Sequence, residues 1–229
     1  MTARRQRGGS LIEVMVAIAI GLFLLSVLTM IFTSTRLTKT SQSGLAQLQD
    51  NQRTAMTLIN SVAQAAGYYP NPQTQTAAAA LPASGSFAAG QSVAGISGSA
   101  GASDTLSVRF ASTSADAILN CNGSSNASAN SQIYVNVFAI NSANQLTCSV
   151  NGAAAQVLVD GVSKMTVLYG ADENNSGSTT RYYPASALPA GATVRSLWIT
   201  LTLVNPLANQ PGQPSTVPMS WLIGLMNQL

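Results

Sequence analysis

The order of apolar and polar positions divides the chain into three stretches. From Val14 to Phe32 nineteen residues carry no charge, and only Gly21, Ser26 and Thr29 interrupt the run. That length suits a membrane-spanning helix, which needs about 20 residues. Leu37, Leu45, Leu48, Ala55, Met56, Ile59, Val62, Ala63 and Ala66 follow. Many fall at spacings of three, four or seven, with Gln, Thr, Ser, Asp50 and Arg53 between them. This is the period of an amphipathic helix. No proline occurs before Pro70, and Gly21 and Gly44 are the weak points. The pattern predicts one helix from about Ser10 to Ala66, roughly 85 Å long at about 1.5 Å per residue. The turn sequence GYYPNP ends it.

The period then changes. Thr74 to Ser103 is low in complexity and has few large residues, which predicts a loop or loosely packed wrap. In DTLSVRFAS, Leu106, Val108 and Phe110 alternate with polar residues. In QIYVNVFAI the apolar set is Ile133, Val135, Val137 and Ala139. QLTCSV, QVLVD, SKMTVLYG and RSLWITLTLV continue in the same way, separated by turn sequences such as NSANQ, VNGAA and VDGVS. These runs predict one antiparallel meander, with one face on the second half of the helix and a polar face opposite. STVPMSWLIGLM adds a last strand in which Pro218 suits an edge or an end. The fold class expected is α+β, a long N-terminal helix packed against an antiparallel β-sheet.

Charge sharpens this picture. The formal net charge is +3, but Arg4, Arg5 and Arg7 all precede the apolar run. Without them seven basic and seven acidic side chains balance. Such a chain offers no basic field to a nucleic acid, so no direct nucleic-acid contact is expected. The arginine cluster predicts that the N-terminus stays in the cytoplasm. The apolar run exceeds the 7–15 residues of a secretory signal core, and no small-x-small cleavage site follows it. There is no histidine, which removes the commonest general base and neutral metal ligand. Lys164 stands in a predicted strand without a motif around it, and no glycine-rich phosphate loop follows a strand. No enzyme activity, catalytic residue or cofactor is expected.

One acid, Glu13, stands at the mouth of the apolar run. The stretch RGGSLIEVMVA resembles the class III signal of type IV prepilins. In that family a short basic leader ends in glycine, a dedicated peptidase cuts there on the cytoplasmic side and methylates the new N-terminus, and a glutamate stands fifth in the mature chain. The resemblance assigns Gly8 as the last leader residue, Gly9 as the first mature residue and Glu13 as the fifth. The family usually has phenylalanine where this chain has Gly9. A carboxylate in hydrocarbon costs several kcal/mol unless paired. Cleavage frees an α-amino group that is charged near neutrality, and methylation keeps that charge. Glu13 of one subunit can then meet the amine of a neighbour and register the two.

A second resemblance narrows the family. NQRTAMTLINSVAQAAGYYPNP looks like the end of the long helix in PilW-type minor pilins. LVDGVSKMTVLYGADENNSGSTTRYY and VRSLWITLTLVN resemble the C-terminal sheet of the same group. The resemblance implies a type IV pilin fold. Residues 1–8 are the cleaved leader, 9–34 the transmembrane half of the helix, 35–69 its amphipathic half, and 70–229 the exported sheet domain with the low-complexity loop 74–103. It implies a structural minor pilin in type IV pilus assembly or initiation, in a pilus-tip or priming complex. A minor pseudopilin of type II secretion shares the architecture, and a membrane-anchored adhesin or ligand-binding module is the reading from a different class. The partners implied are the prepilin peptidase, other minor and major pilins, the inner-membrane assembly platform and, before assembly, the membrane. The implied location is the bacterial inner membrane, single-pass with a cytoplasmic N-terminus, and then a periplasm-spanning or extracellular pilus.

Two further features follow from export. Cys121 and Cys148 are 27 residues apart, and in an oxidising compartment they are expected to form one disulfide. DENNSG places Asp172, Asn174 and Ser176 at the alternating positions of a calcium loop. The closing glutamate is replaced by Tyr183, so a plain Asn/Gly-rich hairpin loop is preferred and no metal is expected.

Overall fold

The computed structural model describes residues 10–227. Helix α1 runs from Leu11 to Gln64 without a break. The fold divides into two compact units, one up to Ala46 and one from Gln47 onward. In the first unit the apolar side chains point outward, with Leu22, Phe23 and Leu24 all more than half exposed. Its polar interruptions are satisfied on the helix itself. The Ser26 hydroxyl donates to the Phe23 carbonyl and the Thr29 hydroxyl to that of Ser26. Thr33 and Thr35 do the same one turn later. A hydroxyl bonded to its own helix lowers the cost of entering hydrocarbon. By length and composition α1 can cross a membrane.

In the second unit α1 buries one stripe, Leu48, Ala55, Ile59, Val62 and Ala63, which Ala66 continues just beyond its end. The helix closes in a short turn, with Ala65 and Ala66 donating to Val62 and Ala63. The Gly67 N–H leaves the helix for the Arg109 carbonyl at 3.0 Å. The stripe packs into a core built by two antiparallel sheets. The first has the order β1-β2-β3-β4-β5, from Val93–Ile96, Thr105–Ser112, Gln132–Ile140, Gln145–Val150 and Gln156–Asp160. The second has the order β7-β6-β8-β9, from Arg181–Pro184, Val162–Asp172, Thr193–Val204 and Thr216–Gly224.

Three expectations need correction. The single meander is two sheets. VDGVS is not a hairpin turn: Gly161, at φ 74°, carries the chain out of the first sheet, and β6 then pairs with β7 and β8 instead of β5. The faces of β3 are also reversed. Asn136 and Phe138 are buried, whereas Ile133, Val135 and Val137 are half-buried. Registry decides this, because Phe138 stands opposite Leu106 and Asn136 opposite Val108 on the core face of β2. Two aromatic rings, Phe110 and Tyr134, pair on that face at 5.9 Å. A β-branched run on the other parity does not compete with them.

Residues 74–103 are not a loose wrap. They contain the short helix α2, Ala77–Ala80, and strand β1, and they bury Leu81, Phe87, Val93 and Ala94. Their organiser is Arg109. It is 1 % exposed and donates to the carbonyls of Gln91, Pro82, Leu81 and Ala88 at 2.5–3.1 Å. Its guanidinium also lies 4.7 Å from the centre of the Phe87 ring. A buried charge is tolerated only when its donors are matched, and here backbone carbonyls of one segment match them. Glycine at position 95 is required sterically, since a side chain there would overlap the Tyr169 hydroxyl that donates to the Ala94 carbonyl. β4 and the final strand β9 are where the apolar runs place them, with Pro218 on an edge strand.

Candidate functional site

Glu13 lies in the first turn of α1, exposed, with its N–H on the Ser10 carbonyl at 2.9 Å. An acid in the first turn complements the positive end of the helix dipole. Gly8 and Gly9, the expected cleavage pair, lie outside the described residues, as does the arginine cluster. The side chains nearest the expected chemistry are therefore Glu13 and the apolar surface that follows it.

Cys121 and Cys148 are joined, with Cα atoms 6.3 Å apart. The bridge ties the loop before β3 to β4. The same loop is held by amides: Asn136 accepts from the Cys121 N–H at 2.9 Å and donates to the Asn120 side-chain Oδ1 at 3.1 Å. Buried Asn126 fixes the other side of the loop by donating to Ser112 and Asn130. Tyr68, just beyond α1, donates to Asp116 at 2.7 Å. That bond, with burial adding to it, pushes the Tyr68 hydroxyl up to about 12. The Thr113 N–H is the main reason that Asp116 is held below the ordinary carboxylate range. Together these contacts lock helix end, disulfide loop and first sheet to one another.

The calcium-loop residues form the β6–β7 hairpin instead. Asp172 accepts from the N–H groups of Ser176 and Gly177 at 2.9 and 2.8 Å and pairs with Arg195 at 3.2 Å. Burial pushes its carboxyl up, but those N–H groups and the guanidinium outweigh it and hold it below the usual range. Asn174 and Ser176 are exposed, and Tyr183 donates to Glu173. Both carboxylate oxygens thus cap a turn beside a cation, which is a poor setting for a divalent ion. Among the described residues no three His, Cys, Asp or Glu side chains are grouped as metal ligands.

A cavity of about 720 Å³ opens between the segments 86–95 and 188–194, over Tyr169. Most of its wall is alanine, glycine and backbone, with no convergent set of titratable groups. The organising residue Arg109 escaped the sequence reading. Its only signal was a lone charge in an otherwise apolar-alternating strand, SVRFAS, and nothing in the low-complexity segment marked the four carbonyls that receive it.

One long N-terminal helix with antiparallel β-sheets is an α+β, type IV pilin-like architecture. Residues 3–29 match the prokaryotic N-terminal methylation motif, and that match covers Glu13 and most of the apolar run. Residues 124–222 match the type IV pilus-assembly protein W family, PilW, from the disulfide loop through most of β9. The two matches together support a PilW-type prepilin-like protein, related to the minor pilins of type IV pili. Domains of this family are structural rather than enzymatic. No curated protein and no solved structure matches the chain significantly.

Proposed function

We propose that this chain is a minor pilin that helps to initiate or cap a type IV pilus. One observation carries the reading: the methylation motif covers Glu13 and most of the exposed, uncharged run that follows it, while the PilW match covers β3 through most of β9. The peptidase cuts between Gly8 and Gly9 on the cytoplasmic side. The chain then waits as a single-pass inner-membrane protein with its sheet domain outside, until the assembly platform lifts it into the filament with other minor and major pilins. Extraction from lipid leaves the apolar half of α1 without cover, and the neighbouring helices of the filament supply it. Glu13 registers the new subunit against the free amine of its neighbour.

The test has two readouts in the native host. The mass of the mature protein should correspond to a chain starting at Gly9 with a methylated N-terminus. A deletion strain should lose surface pili while still secreting exoenzymes. A retained leader beside an active prepilin peptidase would refute the processing. Loss of secretion with normal pili would move the protein to a type II secretion pseudopilus.

A further inference from the structure

The far end of the apolar run carries two cations without a counter-charge. After Val14–Phe32 the next ionic side chains are Arg36 and Lys39, and no acid follows until Asp50. Both cations are exposed on α1, and neither is ion-paired among the described residues. The hydroxyls around them are already occupied on the helix. Thr35 donates to the Ile31 carbonyl, Thr38 to that of Ser34 and Thr40 to that of Arg36.

Phe32, Arg36 and Lys39 share one face of the helix, at spacings of four and three. The Arg36 guanidinium lies 4.4 Å from the centre of the Phe32 ring, so it leans back over the last residue of the apolar run. Helical side chains point towards the N-terminus of their own helix, which at this end of a span is towards the membrane. The same preference directs Lys39, one turn further on, to the same level. Height agrees with this. The nineteen uncharged residues rise about 28 Å, close to a hydrocarbon thickness of about 30 Å. Arg36 stands about 6 Å beyond Phe32, inside a headgroup layer that adds about 5–7 Å on each side. From Glu13 to Arg36 the rise is about 34 Å, so the two charges reach opposite headgroup layers at once.

Charge and height together choose the occupant. Around any spanning helix the anion at this level is the phosphate of the surrounding lipid. A second copy of this chain inserted the same way brings the same two cations to that level, and like charges exclude it. A guanidinium seated on an aromatic ring keeps its N–H fork free for the oxygens of a phosphate. An ammonium beside it adds a point charge without demanding a fixed geometry.

We propose that Arg36 and Lys39 form a binding site for an anionic phospholipid, in the leaflet on the side where the chain continues into the sheet domain. The Phe32 ring seats the guanidinium, the guanidinium takes the phosphate oxygens in bidentate fashion, and Lys39 supplies the second charge that favours an anionic over a zwitterionic headgroup. This inference rests on the membrane-spanning reading of α1 and goes beyond it by naming the lipid and the side chains that hold it.

The test uses the full chain as it is processed in its host, extracted in a neutral detergent and observed by native mass spectrometry with phosphatidylglycerol, phosphatidylcholine or inorganic phosphate. Phosphatidylglycerol should bind best. Arg36→Gln and Lys39→Gln should each weaken it about fivefold, the effect of one cation near an anionic headgroup. Arg36→Lys, which keeps the charge without the fork, should fall between the native chain and Arg36→Gln. Arg53→Gln, at an exposed cation on the same helix beyond the span, should bind as the native chain does. The inference is overturned if Arg36→Gln and Lys39→Gln both bind phosphatidylglycerol as the native chain does, or if Arg53→Gln weakens it as far. It is also overturned if phosphatidylcholine binds equally well, or if inorganic phosphate displaces the lipid. Loss of a co-purified acidic protein from Arg36→Gln and Lys39→Gln, with lipid binding unchanged, would assign the cations to a protein partner and overturn it too. Release of the native chain from membranes by alkaline carbonate would instead refute the spanning reading. Retention in carbonate with unchanged lipid binding by the variants would refute the lipid site alone.

Discussion

Leu24 and Ile59 lie on the same helix, yet Leu24 is 55 % exposed and Ile59 is wholly buried. The first stretch is uncharged and almost wholly apolar and the second is amphipathic, and the partner differs as well. Up to Ala46 the helix settles its polar groups internally, by hydroxyls donating one turn back, and presents apolar side chains outward. From Gln47 onward apolar side chains are buried by sheets, and polar groups are satisfied by residues far away in sequence, as with Asn51 on the Asp160 carbonyl. Helical periodicity is thus common to both, but only the second stretch carries the information for a fixed partner within its own chain. The first suits a surrounding that is itself apolar.

The comparison can be broken by substitutions that should act on one region only. The largest effect is expected from Arg109→Met, which strands the four carbonyls of Leu81, Pro82, Ala88 and Gln91. Urea unfolding of the detergent-solubilised chain should show a loss of about 3–5 kcal/mol, since each buried unmatched acceptor costs about 1–3 kcal/mol. Protease should then cut within residues 81–91. Ile59→Ala should cost about 3 kcal/mol by cavity formation, whereas Leu24→Ala should leave the unfolding of the sheet domain unchanged. Equal losses from the two would mean that the helix is one uniform element.

Cys121→Ser should cost about 3 kcal/mol, the value expected for freeing a loop of this length, and Ellman titration should report one thiol in the unfolded variant. Tyr68→Phe is the mildest, at about 1 kcal/mol for one hydrogen bond. It also has a pH signature. The folded Tyr68 value is raised to about 12, so its contribution is complete below the ordinary tyrosine value near 10 and is lost as pH rises from there to about 12. The native chain should therefore lose its advantage over Tyr68→Phe across that window and nowhere near neutrality.

The same contrast explains what could be read without coordinates. A run such as Val14–Phe32 announces itself because it is uncharged over the length of a membrane span, and the helix end at Gln64 follows from Gly67 and Pro70. Of the strands from β2 to β9, all but β7 were legible as runs in the sequence. Their division into two sheets was not, because Gly161 in VDGVS suits a hairpin turn and a change of sheet alike. The face of β3 was misread because two aromatic residues and one amide, Tyr134, Phe138 and Asn136, outweigh four smaller apolar ones once Phe110 and the disulfide loop are in place. The segment 74–103 carried no internal pattern, since its order is imposed by a residue outside it, Arg109. Of the site, Glu13 was legible from its position and the hairpin at Asp172 from DENNSG, whereas the ion pair with Arg195, more than twenty residues away, was not.

In the proposed function Glu13 is retained to register subunits, in spite of its cost beside an apolar run. The most direct measurement is pilus number in a deletion strain carrying Glu13→Val at native level, with the protein located by membrane fractionation. Valine removes the carboxylate and favours the helix in lipid, and Glu13 stands more than thirty residues before the first core position, Leu48. Insertion and the folded sheet domain should therefore survive, while the protein accumulates in the inner membrane and pili are not restored. Normal piliation by Glu13→Val would contradict the account.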